Sequence, residues 1–241
     1  MGSTIPFDTD LLRISTYPGR GIIIGQSPDQ KHLIQVYWIM GRSDGSRNRT
    51  FVSEGECVRT RAFDESKLDN PSLVVYYPIR VIKGHHILTN GDQTDTIYDV
   101  IENGGTFESA LAARTFEPDS PILTPRISGI IDLHEGEASY KLAVLKTVAL
   151  NEAHGTRHFF NYETPIPGIG HCITTYRDDG NPPPSFSGEP LVVELFNTLE
   201  QNADHYWKML DPDNRVSLLV KFLDPESGAS KIHIINKFEQ Q

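Results

Sequence analysis

Two apolar runs separated by a polar turn open the hydrophobic pattern of this chain. Residues 20 to 26 read RGIIIGQ, residues 27 to 32 read SPDQKH, and residues 33 to 40 read LIQVYWIM. The first and third are rich in β-branched and aromatic side chains and the second has turn chemistry, so the pattern predicts two strands joined by a turn. Further strand signals stand at LVVYYPIRVIKG (73–84) and HILTN (86–90). Pro78 implies an edge or a bulge there, because proline cannot donate to a ladder. The spacing then turns helical. In DQTDTIYDVIENGG (92–105), Ile97, Val100 and Ile101 share one face, Asp92 is placed to cap the N-terminus, and glycines stop the run. FESALAAR (107–114) reads as a second helix.

Beyond a proline-rich loop, ISGIIDLH (127–134), SYKLAVLKTVA (139–149), GHCITTYR (170–177) and PLVVELF (190–196) return to strand composition. TLEQNADHYWKML (198–210) predicts a late helix, and VSLLVKFLD (216–224) with KIHIINKF (231–238) a closing hairpin. No repeat, low-complexity tract or long linker divides the chain. Antiparallel-type strands with two helical blocks predict one α+β domain over residues 1 to 241, with helices layered on sheets.

Composition narrows the function classes. The 241 residues are 38% hydrophobic and 22% charged, ordinary values for a globular protein. No run of 18 apolar residues and no secretory pattern appear, so a membrane-spanning role is not expected. Cys57 and Cys172 make no disulfide framework and have no metal-ligand spacing, which suits a reducing cytoplasm. The formal net charge of −10 disfavours nucleic acid and anionic membranes as partners. An anionic ligand would therefore be small and held by a local cationic cluster.

One such cluster is GRSDGSRNR (41–49), with Arg42, Arg47 and Arg49 in a turn-like setting. Guanidinium forks match phosphate oxygens, though a solvated loop with paired arginines explains the same residues. FEPDSPILTPRISG (116–129) places Glu117, Asp119, Thr124 and Arg126 on a loop stiffened by three prolines. It suits a polar substrate, or serves as a rigid connector. LTNGDQTDTI sets Asn90 and Gly91 at a strand end, and RDDGNPPPSFSGEP (177–190) is either an active-site lid or a surface crossing. His154 and His158 flank a glycine and an arginine without a catalytic glutamate, so no metal is expected.

Taken in order, YPGRGIIIG, GRS…NR, VYYPIRV, TNGDQTDTI, FEPDSPILTPRISG and TYRDDGNPPPSFSGEP resemble the blocks of the archaeal-type IMP cyclohydrolase family. The resemblance implies a four-layered αββα sandwich like that of N-terminal-nucleophile hydrolases, used without the nucleophile. Gly2, next after Met1, has no side chain to attack a substrate. It also implies a cytoplasmic homo-oligomer that needs no cofactor or metal. Its reaction would be closure of 5-formamidoimidazole-4-carboxamide ribonucleotide to inosine monophosphate, the last step of de novo purine synthesis. By the same resemblance Arg42, Tyr76 and Glu117 form the catalytic trio. Arg20, Ser43, Asn48, Arg49, Asn90, Gly91, Asp119, Thr124 and Arg126 would bind the purine ribonucleotide, with Arg47 outside the site. The chain departs from the family pattern at Tyr77-Pro78, in its longer arginine loop and at SPILTPR. A nucleotide-binding relative without turnover, or an amide hydrolase on the same fold, are the competing readings.

Overall fold

A computed structural model describes residues 7–67, 74–133 and 139–239. Gly2, Leu73 and His134, which figure in the expectations above, lie outside these residues. The described elements run α1 (Thr9–Ile14), β1 (Gly21–Gln26), β2 (Leu33–Met40), α2 (Asp44–Arg47), β3 (Thr50–Glu54), β4 (Cys57–Arg61), β5 (Ile79–Ile82) and β6 (His85–Thr89). They continue with α3 (Gln93–Glu102), α4 (Phe107–Ala112), β7 (Arg126–Asp132), β8 (Ser139–Val148), β9 (Asn151–Tyr162), β10 (Ile169–Thr174), β11 (Leu191–Glu194), α5 (Leu199–Met209), β12 (Arg215–Leu223) and β13 (Ser230–Asn236).

The strands form two antiparallel sheets, giving an α+β fold. One has the order β11-β10-β1-β2-β12-β13 and the other β3-β4-β5-β6-β7-β8-β9. Their facing sides meet in an apolar core built from Ile22, Ile24, Tyr37 and Leu219 of the first sheet and Phe51, Leu88, Ile127 and Leu142 of the second. The outer face of the first sheet, with Ile23, Val36 and Trp38, packs on Leu12 of α1 and on Ala203, Tyr206 and Met209 of α5. The outer face of the second, with Ile87, Ile130 and Leu145, packs on Ile97 and Ile101 of α3 and Phe107 and Leu111 of α4. β1 and β2 are thus covered on both faces, which is why they read as continuous apolar runs rather than alternating ones. Each large aliphatic side chain here is worth about 2–5 kcal/mol against truncation to alanine.

Three expectations need correction. Residues 74 to 78 are not strand: β5 begins at Ile79, just after Pro78. Pro78 therefore interrupts no ladder, and its carbonyl accepts the Thr89 N–H at 2.9 Å. β5 lies inside the sheet, between β4 and β6, not at an edge. The Asp92 side chain makes no capping hydrogen bond, because two arginines occupy it. Finally, 41–49 is not a plain turn, since Ser43 and Ser46 cap each other reciprocally around the one-turn α2.

Helix α1, the β3–β4 hairpin and β9 were absent from the expectations. The β3–β4 hairpin turns at Gly55, and β9 runs for 12 residues along the edge of the second sheet. Arg157 of β9 reaches the carbonyls of Leu111, Ala112 and Arg114 at 3.1, 3.0 and 2.6 Å, closing the exposed C-terminal end of α4.

Candidate active site

A cavity of about 350 Å³ opens where the end of β2, the arginine stretch, the loop before β7 and the strand end of β10 converge. Of the twelve site residues expected from the sequence, Arg20, Arg42, Ser43, Asn48, Arg49, Glu117, Asp119 and Thr124 line it. Tyr76, Asn90, Gly91 and Arg126 stand behind the lining. Tyr17, Gly45, Ser46, Lys67, Val74, Ile122 and Tyr176 also line it and were not among the expected site residues.

Arg20 and Arg49 are buried, at 8% and 6% exposure. Arg20 Nε and both Nε and Nη1 of Arg49 lack a hydrogen-bond partner among the described residues. Buried cationic donors are normally satisfied, so these two arginines create a demand for an anion. Burial alone would lower the Arg20 pKa, but the Glu117 carboxyl and the neighbouring tyrosines outweigh it and raise the value. Arg49 is lowered, by burial first and by repulsion from Arg20 second.

Glu117 lies in the same charged group. Burial raises its pKa against the opposing pull of Arg20 and Arg126. Its one side-chain hydrogen bond among the described residues is long, from Asn90 Nδ2 to Oε1 at 3.5 Å, so the carboxyl keeps lone pairs for a ligand. Asn90 is a strut. It accepts from Gln93 Nε2 at 2.8 Å and the Ile127 N–H at 2.9 Å, and donates to the Pro125 carbonyl at 3.0 Å. Arg126 completes the support by donating to Asp92 at 2.6 Å and to Gln93 at 2.7 Å, while Arg114 bonds the other Asp92 oxygen at 2.5 Å.

Tyr76 is buried, and its hydroxyl pairs with that of Tyr37 at 2.8 Å. Burial raises both phenols, and Arg20 and Arg49 oppose the rise in each case. Tyr76 is thus held neutral within the field of the two arginines and Glu117.

The remaining two arginines of the stretch point to different surroundings. Arg47 turns away, donating to the Gly41 carbonyl at 2.9 Å and to Asn214 at 3.4 Å. Arg42 stands at the mouth, over the Tyr17 ring at 4.4 Å. It pairs with Asp179 and donates to the Gly180 carbonyl at 2.9 Å. Those residues belong to the stretch 177–190, whose base is closed by the Arg177 N–H to the Pro184 carbonyl at 2.9 Å. The proline-rich stretch therefore does reach the mouth of the cavity. Asn48 ties the arginine stretch to the segment after β4, exchanging bonds with the Asp64 backbone at 2.8 and 2.7 Å.

Asp92 allows a test of this scaffold. Burial raises its pKa, but Arg114 and Arg126 outweigh that and hold it below 3.8. Its contribution to stability is complete above the unfolded value and is lost as pH falls through the lower folded one. Asp92→Asn should flatten the fall in melting temperature between about pH 4 and pH 2. Superimposable slopes for the two proteins over that window would remove Asp92 from the account.

Among the described residues, no group of three His, Cys, Asp or Glu side chains is placed to hold a metal ion. No described helix is long and apolar enough to cross a membrane. The cavity gathers four cationic side chains, Arg20, Arg42, Arg49 and Lys67, against Glu117 and Asp119. It is a locally positive pocket in an acidic protein.

Known proteins have similar sequences. The chain is 33% identical to the IMP cyclohydrolase of Methanopyrus kandleri over 163 residues, covering 66% of this chain and 75% of that protein. It is 29% identical to the IMP cyclohydrolase of Methanothrix thermoacetophila over 178 residues, 71% of this chain and 80% of the other. A third, the IMP cyclohydrolase of Methanocella arvoryzae, is 31% identical over 122 residues, 49% of this chain and 59% of its own. A family model described as IMP cyclohydrolase-like protein matches residues 17–228, from Tyr17 on the cavity wall to the turn ahead of β13. The chain belongs to the IMP cyclohydrolase-like family.

Proposed function

We propose that the cavity closes the ring of 5-formamidoimidazole-4-carboxamide ribonucleotide to form inosine monophosphate. The observation that carries this reading is the pair of buried arginines, Arg20 and Arg49, with unmatched donors beside Glu117. The order of helices, sheet, sheet and helices supports the αββα sandwich of N-terminal-nucleophile hydrolases, with residues 1 to 241 as one domain.

In the reaction, the carboxamide nitrogen attacks the formyl carbon and loses a proton, while the formyl oxygen gains one. The resulting carbinolamine then loses its hydroxyl, with a second proton, as water. An amide nitrogen is a poor nucleophile, so orientation, charge stabilisation and proton transfer are the available aids. Glu117 takes the proton from nitrogen. Arg20 and Arg49 stabilise the negative charge developing on the formyl oxygen, and Tyr76 supplies a proton from the Tyr37–Tyr76 pair. Arg42, at the mouth with Ser43 and Lys67, suits the 5′-phosphate, which stays hydrated on one side. Asn90, Gly91 and Arg126 act through Glu117 by holding its loop.

The deciding experiment mixes the purified protein with the formamido ribonucleotide and follows inosine monophosphate. Turnover is expected, with Arg42→Ala raising KM more than it lowers kcat. Tight binding of inosine monophosphate without turnover would make the protein a binding relative instead. Neither binding nor turnover would overturn the reading.

A further inference from the structure

Tyr176 lines the cavity and is held in place by several contacts. Its ring stacks on Tyr17 with centroids 5.8 Å apart and planes 22° apart. Its other neighbour is Gly19, at φ +73°, where an added Cβ would lie 2.6 Å from the ring; only glycine fits this approach. The Tyr176 N–H donates to the Pro18 carbonyl at 3.1 Å, and the Tyr176 carbonyl accepts from Thr174 Oγ1 at 2.7 Å. Together these contacts fix where the ring sits.

The direction of its hydroxyl proton follows from its neighbours. Asp119 accepts twice from one residue: from the Thr124 N–H at 2.7 Å and from Thr124 Oγ1 at 2.5 Å. A carboxylate offers only lone pairs, so the single Thr124 hydroxyl proton points at Asp119. The Thr124 and Tyr176 oxygens are 2.8 Å apart, and the proton between them has to come from Tyr176. Thr124 is the only hydrogen-bond partner of that phenol among the described residues. Its oxygen then has lone pairs to offer and no proton. Burial lifts the phenol pKa to about 12, which keeps the proton in place at neutral pH.

We propose that Tyr176 faces the bound nucleotide as a hydrogen-bond acceptor only, and selects ligands that bring a donor to that wall. This rests on the nucleotide reading above. The 2′- and 3′-hydroxyls of the ribose and an N–H at the base end are the donors such a ligand carries.

Isothermal titration of the wild type and Tyr176→Phe with inosine monophosphate and its 2′-deoxy and 3′-deoxy forms separates these sources. The variant should bind inosine monophosphate about tenfold more weakly, the size of one lost hydrogen bond. If a ribose hydroxyl is the donor, the form lacking it binds both proteins alike. A tenfold loss with all three ligands assigns the donor to the base. Equal binding of inosine monophosphate by both proteins overturns the proposal. A neutron structure of the deuterated protein reads the proton order without any ligand. Deuterium on the Tyr176–Thr124 and Thr124–Asp119 lines is expected, and a Tyr176 deuterium aimed into the cavity overturns it. Failure of the wild type to bind inosine monophosphate would instead refute the nucleotide reading, leaving the neutron result to decide the polarity.

Discussion

Arg49→Met loses about a hundredfold to a thousandfold in kcat, the cost of removing one donor to a developing oxyanion, and yet melts no lower than its parent. The second half of this expectation separates a functional arginine from a structural one. Arg49 is buried with Nε and Nη1 unmatched, and Arg20 repels it. In the free protein it is a desolvated charge whose removal in favour of an apolar chain of similar length is neutral or stabilising. Thermal unfolding and steady-state kinetics on the same preparation give both numbers. A variant that melts well below the parent would show that Arg49 holds the fold. Arg49→Lys should rescue little, since an ammonium cannot replace a guanidinium fork at a planar site.

The second large effect concerns Glu117. Glu117→Gln keeps the shape and the long contact from Asn90 but cannot accept a proton, and should lose about a hundredfold to ten-thousandfold in kcat. The pH profile adds the sign. Burial favours the neutral acid and raises the pKa above 4.5, whereas the reaction needs the carboxylate. Activity should therefore rise with pH through that raised value, and its acid limb should begin at a higher pH than an ordinary glutamate allows. Residual activity of the Gln variant should lack this limb. An unchanged limb in the variant would assign the titration to another group.

Much of the fold was legible from pattern alone, for definite physical reasons. β1 and β2, the helices α3, α4 and α5 and the β12–β13 hairpin bury wide apolar faces, and burial is what hydrophobic periodicity reports. β9 was invisible because it is an edge strand whose side chains are mostly exposed, so nothing demanded an alternating pattern. The β3–β4 hairpin left only a weak trace, TFVSE and CVRTR around Gly55, beside the louder charge signal of the arginines. Residues 74 to 76 failed the other way. Val74 and Tyr76 are apolar because they are buried, but their carbonyls bond Thr60 rather than a regular ladder.

The site divides along a similar line. The residue types of GRSDGSRNR and FEPDSPILTPRISG marked polar chemistry, and the cavity brings both stretches together. What spacing could not convey was depth: which arginine is at the mouth and which is buried depends on how β2 ends and where Asp179 sits. Arg20 sits beside glycines in an apolar strand context and was selected through family resemblance alone. Tyr17 and Tyr176 stand beside Pro18 and Arg177, but tyrosine next to proline or arginine has many explanations.

A net charge of −10 surrounding a pocket with four cationic side chains also acts as a sieve. Across several ångströms of solvent the acidic exterior pushes anions away, and physiological salt confines that push to about 8 Å. A small dianion crosses this thin shell once and finds a pocket in which four cationic side chains outnumber Glu117 and Asp119. A polymer of phosphates must keep most of its length inside the repulsive shell while only one unit can enter. The same charge arrangement therefore favours one small anion over a long polyanion by size alone.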